Sequence, residues 1–122
     1  MHRLVLTSSL ALAITICISQ EPCEQLPSKF DSYVEAVKRV ESATFKVLDS
    51  IVTNKSSWIK EAFFYSCEGK TGYFIYRTKK NKTYIHKGVH IGKWQGFKEA
   101  DSHGGYYNQE LKGRYYLSLT DP

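Results

Sequence analysis

Several features that mark particular classes of protein are scarce or missing in this sequence of 122 residues. There is no CxxC pair and no cluster of cysteine and histidine at zinc-binding spacing, so we predict no metal site and no cofactor. There is also no internal repeat and no low-complexity tract. Hydrophobic residues make up 42% and charged residues 24%, values that exclude collagen-like and wholly disordered chains. The length allows one small folded domain with one surface site.

The sequence also lacks an apolar run of the ~20 residues that a membrane-spanning helix needs. Its long uncharged stretch, residues 4–18, follows His2 and Arg3 and ends at polar residues. A basic segment followed by a short apolar one is typical of a secretory signal peptide, and we predict that residues 1–19 are removed by cleavage after Ser19. The mature protein is then secreted or periplasmic and has no membrane span. The alternative is a buried N-terminal helix.

Removal of this leader changes the cysteine count from three to two. Cys17 leaves with the leader, and Cys23 and Cys67 remain as an even pair in an oxidising compartment. A disulfide between them would close a loop of about 45 residues and stabilise the fold by roughly 3–4 kcal/mol in the chain-entropy description. The alternative is two unrelated thiols.

Residues 20–55 show the apolar spacing of a helix. Residues 28–31, Ser-Lys-Phe-Asp, resemble a capping box, in which the serine hydroxyl accepts a hydrogen bond from the first turn. Apolar residues follow at spacings of three and four, pause near residues 42–44 and then resume. We predict one long amphipathic helix or two short ones, with a hinge at residues 54–57. The residues on the predicted apolar face are Phe30, Tyr33, Val34, Val37, Phe45, Leu48, Ile51 and Val52.

The pattern then changes to the alternation of β-strands. Residues 59–67, 73–78 and 83–86 alternate between the two faces of a sheet and are separated by short turns at 68–72 and 79–82. This arrangement predicts a three-stranded antiparallel meander.

The remainder of the chain predicts a short helix followed by irregular structure. Apolar residues at a spacing of three indicate a helix over residues 90–100, and Gly104 and Gly105 indicate a loop over residues 101–108. We predict a last extended segment over residues 111–119. The predicted fold class is therefore α+β: an N-terminal helix or helices, the meander, a short helix and a C-terminal extended segment.

The order of several short motifs resembles the KTSC domain, a family named for the C-terminus of some lysyl-tRNA synthetases. The motifs are Ser-Ser-Trp-Ile at 56–59, Tyr-Ile-His at 84–86, Ala-Asp-Ser-His-Gly-Gly-Tyr-Tyr-Asn at 100–108 and Leu-Lys-Gly-Arg-Tyr at 111–115. The family has a second tyrosine where this chain has His86. The resemblance implies a small α+β domain, and RNA binding has been suggested for the family. We place the KTSC-like domain at 56–116, after the helical segment and before a tail at 117–122.

Charge is segregated along the sequence. The stretch from Lys70 to Lys98 holds eight basic residues and no acid, and tyrosines are interleaved with them. Cationic side chains neutralise phosphates, and exposed aromatic rings stack on bases, so we predict that this hairpin face binds RNA or another polyanion without catalysis. The predicted ligand-binding residues are Lys70, Tyr73, Tyr76, Arg77, Lys79, Lys80, Lys82, Tyr84, Lys87 and Arg114.

A second candidate is the glycine-containing loop motif. Glycine permits close approach of the backbone, and successive N–H groups there form an anion-binding nest, or the loop is simply braced by its own hydrogen bonds. The residues of this motif are Ser102, Gly104, Gly105, Tyr106, Tyr107 and Asn108.

Two other functions remain open at this point. The first is a structural or protein-interaction module in which the tyrosines belong to the core. The second is a small secreted nuclease, in which a histidine and a glutamate act as acid and base. The residues available for that chemistry are His86, His90, His103, Glu61, Glu99 and Glu110. No spacing fixes their geometry, and we assign no catalytic residue.

Overall fold

The structure, a computed structural model, describes residues 20–121, and the predicted signal peptide lies outside this range. A 3₁₀ turn and one helix precede four strands, and two helices and a π-helical turn follow them. Within residues 20–121 no helix is long and apolar enough to span a membrane. The elements are the 3₁₀ turn Cys23–Gln25, α1 Tyr33–Ser42, β1 Val47–Val52, β2 Ile59–Ser66, β3 Thr71–Thr78, β4 Thr83–His90, α2 Ile91–Glu99, α3 His103–Tyr106 and the π-helical turn Tyr107–Leu111.

The four strands form one antiparallel sheet in the order β1-β2-β3-β4. The meander of β2, β3 and β4 and the helix α2 occur where the sequence predicts them, which confirms an α+β fold. The prediction of three strands and of helix beyond residue 44 is wrong, because residues 47–52 pair with β2 from Val47 opposite Ser66 to Val52 opposite Glu61. Short apolar runs do not distinguish strand from helix, and here the open edge of β2 provides the hydrogen bonds.

The helix α1 begins later than the sequence predicts. Its capping box is Ser32–Glu35, since the Ser32 hydroxyl accepts from the Glu35 N–H at 3.0 Å and the Glu35 carboxylate accepts from the Asp31 N–H at 3.2 Å. The predicted box at 28–31 is therefore wrong by four residues. The buried stripe of the helix is also different: Ala36 and Val40 are buried.

The sheet has a hydrophobic core on each face. On one face Phe74 packs with Trp94 and Phe97 of α2 and with residues of the π-helical turn. On the other face Ile75 belongs to a core formed with α1 and both terminal segments. Successive residues of a strand point to opposite faces, so the run of aromatic and branched residues in β3 supplies both cores.

The predicted loop at 101–108 is in fact mostly helical. The Ser102 hydroxyl accepts from the Gly105 N–H at 3.0 Å and caps α3, which continues directly into the π-helical turn. Two glycines cost about 1 kcal/mol each relative to alanine in a helix interior. They are tolerated here because a Cβ on Gly104 would collide with the Trp58 indole. The missing side chain lets Trp58 pack against the helix.

The predicted C-terminal extended segment does not add a strand to the sheet. It forms one isolated parallel bridge, Phe30 with Leu119, in which the Phe30 N–H donates to the Ser118 carbonyl at 3.0 Å. This bridge holds the two terminal segments together beneath the sheet.

The structure joins Cys23 to Cys67 in a disulfide, with a Cα–Cα distance of 5.8 Å and a sequence separation of 44. The pairing predicted from the cysteine count is thus present. Nearby, the Cys23 N–H donates to the Thr44 carbonyl at 3.0 Å, so both a covalent bond and a hydrogen bond fix the segment around Cys23.

We expect the double variant Cys23→Ser with Cys67→Ser to lose about 4 kcal/mol of the free energy of unfolding, because the unfolded chain regains the freedom of a loop this long. Urea unfolding of the mature chain measures the loss. Reductant should lower the wild-type value to that of the double variant and leave the double variant unchanged. Equal urea midpoints for the oxidised wild type and the variant would contradict the expectation.

Candidate functional site

A groove of about 550 Å³ lies where the tip of the β3–β4 hairpin meets the π-helical turn. We call it the basic groove. Aromatic side chains and lysines line it, and within residues 20–121 no aspartate or glutamate does. Its lining residues are Ser57, Trp58, Tyr76, Thr78, Lys79, Lys80, Lys82, Tyr84, Tyr107, Asn108 and Lys112.

The hairpin turn places three of the lysines at the rim of the basic groove. Asn81 adopts a positive φ of 62°, a conformation that asparagine tolerates better than most residues. The Thr78 N–H donates to the Lys82 carbonyl at 2.8 Å, and the Thr78 hydroxyl accepts from the Lys82 N–H at 3.1 Å. The Lys79 N–H donates to the Trp58 carbonyl at 2.9 Å, which ties the hairpin tip to the start of β2.

Aromatic rings form one wall of the groove around Tyr76. Its ring centroid lies 4.6 Å from that of Tyr107 and 5.9 Å from that of Trp58. Tyr84 stacks on Tyr76 at 5.1 Å with an interplanar angle of 21°. Tyr76 is only 4% exposed, whereas Tyr84 is 43% exposed. The buried ring therefore supports an exposed one.

A hydrogen-bonded chain fixes the floor of this aromatic cluster. His86 Nδ1 lies 3.0 Å from the Tyr115 carbonyl, and its Nε2 lies 3.0 Å from the Tyr107 hydroxyl. A carbonyl only accepts, so Nδ1 carries the proton of the neutral ring and Nε2 accepts from Tyr107. Burial lowers the pKa of His86. Burial, followed by a hydrogen bond with Tyr107, raises the pKa of Tyr76 well above its usual range.

The basic residues predicted from the sequence divide into two groups. The lysines of the basic groove form no ion pair with any other residue in the range 20–121. Arg77 is instead paired with Glu41 and Glu61, on the other face of the sheet. Arg114 lies 3.8 Å from Glu110. Pairing thus removes these two arginines from the predicted polyanion surface.

Two lysines of the stretch from Lys70 to Lys98 also form ion pairs with carboxylates outside that stretch. Lys93 lies 2.6 Å from Glu110, and Lys98 lies 2.6 Å from Asp49. Hydrogen bonds from Lys98 and from the Trp94 indole, together outweighing burial, lower the pKa of Asp49. The charge excess counted along the sequence is therefore larger than the charge that remains unpaired.

Three more predicted residues lie away from the basic groove. Tyr73 and Lys87 line a different cavity, beside the disulfide. The Lys87 ammonium donates to the Ser28 carbonyl at 3.1 Å. Lys70 is in the β2–β3 turn, at the opposite end of β3 from the hairpin tip. Of the ten predicted ligand-binding residues, the groove contains Tyr76, Lys79, Lys80, Lys82 and Tyr84.

The loop motif contributes to the same groove, which the sequence did not indicate. Tyr107 and Asn108 line it, and Gly104 allows Trp58 to approach. The N–H groups of Gly105 and Tyr106 already bond to the Ser102 hydroxyl and carbonyl, both at 3.0 Å. The motif thus braces a wall of the groove, and these two N–H groups already have partners within the protein. Trp58 and Lys112 were missed, although both lie within the motifs quoted for the KTSC resemblance.

The histidines considered for nuclease chemistry have structural partners. His103 Nδ1 donates to the Phe97 carbonyl at 2.8 Å, and His90 Nδ1 accepts from the Gly92 N–H at 3.0 Å to cap α2. Glu61 and Glu110 are held by basic residues. The absence of enzymatic activity stays a prediction.

A cluster of potential metal ligands in residues 20–121 consists of Cys23, Glu24 and Cys67. Its two sulfurs are joined in the disulfide and therefore are not thiolate ligands.

Comparison with known proteins identifies the family of the part that carries the hairpin. The family model of the KTSC domain matches residues 73–115. This part of the chain is similar to KTSC domains. The resemblance found in the sequence is thereby confirmed, and the matched segment runs from β3 through the π-helical turn, including most of the basic groove.

The fold is similar to the crystal structure of a KTSC domain protein from Yersinia pestis, with a TM-score of 0.50 and 19% sequence identity. The similarity covers 62% of this chain and 100% of that chain. No curated protein matches the sequence. At this identity the likeness concerns the fold alone.

We expect the free energy of unfolding to fall as the pH drops below about 6.5, the ordinary pKa of histidine. The folded protein holds its His86 proton less tightly than the unfolded chain does, because burial lowers the pKa. The unfolded state therefore gains protons first, and the loss continues until the folded pKa is reached. Urea unfolding at intervals between about pH 7.5 and 4.5 measures it.

The variant His86→Gln should show a weaker dependence on pH over this range, since glutamine does not titrate. His90→Gln, which replaces the exposed histidine that caps α2, measures how much of the pH dependence comes from that histidine. A slope that is the same in His86→Gln as in the wild type would show that other groups cause the dependence.

Proposed function

We propose that the mature protein binds single-stranded RNA in the basic groove and does not catalyse a reaction on it. One observation supports this function most directly. Four lysines without acidic partners, Lys79, Lys80, Lys82 and Lys112, line the same groove as the exposed ring of Tyr84. The groove has the volume of a small-molecule cleft, about 300–1,000 Å³.

Electrostatics favours a phosphate-containing ligand. Ion pairs hold Arg77, Lys93 and Lys98, whereas the four lysines of the groove have no acidic partner within residues 20–121. Each cation that neutralises a phosphate releases counterions, which makes affinity depend steeply on salt. The lysine ammonium groups are flexible point charges and follow a backbone of variable shape better than they select one fixed anion.

The aromatic wall favours a single strand over a duplex. Bases in a duplex are already stacked on one another and offer no free face to a protein ring. Tyr84 is supported from behind by Tyr76, so its ring is held in place without losing its exposure. A held ring loses little side-chain entropy when a base stacks on it.

The triple variant Lys79→Ala, Lys80→Ala and Lys82→Ala should lose affinity for a fluorescent oligouridine, and the slope of log affinity against log salt should shrink by about 2. Fluorescence anisotropy at several salt concentrations measures both quantities. The matched control is Lys29→Ala, Lys38→Ala and Lys46→Ala, which removes three exposed lysines outside the groove. Equal losses in the two triple variants would point to non-specific charge attraction.

Replacement of Tyr84 separates stacking from charge. Tyr84→Ala should weaken binding by about 1–3 kcal/mol, the usual contribution of one stacked base, and leave the salt slope unchanged. If wild-type protein has no affinity for RNA even at low salt, the proposed function is wrong. The burial of Tyr76 then favours the alternative of a structural or protein-interaction module.

We also infer that the protein is exported. The disulfide between Cys23 and Cys67 supports this, since such bonds persist in oxidising compartments and are rare in the cytosol.

Expression of the full sequence in a host with a secretory pathway should yield an exported protein that begins at Gln20. Mass spectrometry of the exported fraction measures the cleavage point. The control is the chain 20–122, which should stay inside the cell. Recovery of the uncleaved full chain in the cytosol would contradict the inference.

A further inference from the structure

A second groove, of about 400 Å³, lies directly beside the basic groove and shares Tyr84 and Tyr107 with it. Three other tyrosines line this second groove, which therefore contains five of the nine tyrosines of the chain. We call it the aromatic groove. Its tyrosines come from α1, from β4, from the π-helical turn and from the C-terminal segment, and they are Tyr33, Tyr84, Tyr107, Tyr115 and Tyr116.

The exposed aromatic side chains of residues 20–121 are concentrated in the aromatic groove. Tyr33 is 53% exposed, Tyr84 43% and Tyr116 72%, and these three are the exposed aromatic side chains of residues 20–121. A single exposed aromatic ring requires no explanation, but their concentration in one concave site marks a binding surface.

The chemistry of the aromatic groove differs from that of its neighbour. In the part of the chain that the structure describes, no lysine, arginine, aspartate or glutamate lines it. His86 lies at its floor, where both ring nitrogens are already hydrogen-bonded within the protein. An uncharged, ring-lined groove suits a planar uncharged group and gives a phosphate no cationic partner.

We propose that the aromatic groove holds an unstacked base of the same RNA strand whose phosphates lie in the basic groove, an inference that rests on the proposed function. Continuity of the two grooves at Tyr84 and Tyr107 supports it. The contrast in charge supports it as well, because a nucleotide joins an anionic phosphate to a neutral planar base. The RNA strand passes over Tyr84, with its phosphate backbone in the basic groove and one base in the aromatic groove.

This geometry also predicts how selective the site is. The polar groups available to a base are tyrosine hydroxyls and the Thr83 hydroxyl, which donate and accept equally well. Stacking tolerates every base because each has a π face. We therefore expect similar affinities for different base compositions and a strong requirement for the presence of bases.

The test compares two ligands of equal phosphate number, an oligouridine and an abasic sugar–phosphate strand. The double variant Tyr33→Ala with Tyr116→Ala should bind oligouridine at least about five-fold more weakly than the wild type does. Its affinity for the abasic strand should be unchanged. The matched control is Leu48→Ala with Val52→Ala, which removes two exposed apolar side chains from β1 and should bind both ligands as the wild type does.

Two further measurements distinguish loss of the base site from loss of folding. Tyr116→Phe keeps the ring and should bind oligouridine as tightly as the wild type. In the wild-type protein, adenosine alone should shift the NMR signals of the Ile85 and Leu117 methyl groups, which line the aromatic groove. The triple lysine variant should keep these shifts, because a nucleoside carries no phosphate.

The outcomes distinguish this inference from the proposed function. If the wild type binds oligouridine and the double tyrosine variant binds it equally well, the base site is wrong and RNA binding stands. If adenosine shifts neither methyl group, the base site is likewise wrong. If the wild type binds neither the oligouridine nor the abasic strand, the proposed function is wrong and the base site is wrong as well.

Discussion

The structure depends on the burial of β3 on both of its faces. Phe74 and Tyr76 face α2 and the π-helical turn, whereas Ile75 faces α1 and the terminal segments. When a strand is buried on both sides, its successive side chains enter two different cores. This chain is rich enough in aromatic residues to fill both of them. The same constraint places the ring of Tyr76 under Tyr84, so Tyr76 belongs both to the core and to the basic groove.

The strands that alternate clearly were predictable from the sequence, and so was α2. The strand β1 was not, because its apolar residues fit a helical spacing equally well and its strand state depends on pairing with β2. The helix α3 was missed for a related reason. Gly104 and Gly105 disfavour a helix locally, and the packing of Trp58 against Gly104 that favours one is visible only in the folded chain.

The candidate site was predictable in part. The run of lysines at the hairpin tip and the interleaved tyrosines are visible in the sequence, and they do lie in one groove. What the sequence does not show is which charges are neutralised. Arg77 meets Glu41 from 36 positions away, a contact that follows from the packing of α1 on the sheet. A charge count along the chain therefore overstates the basic surface of a folded protein.

The position of the disulfide determines how the protein can be attached to other structures. Cys67 follows the end of β2, next to the β2–β3 turn, whereas the basic groove lies at the β3–β4 tip, at the other end of the sheet. Cys23 is thus held at the end of the sheet that is distant from the groove. A tether, a carrier domain or an immobilising tag placed there would leave the basic groove facing away from the point of attachment.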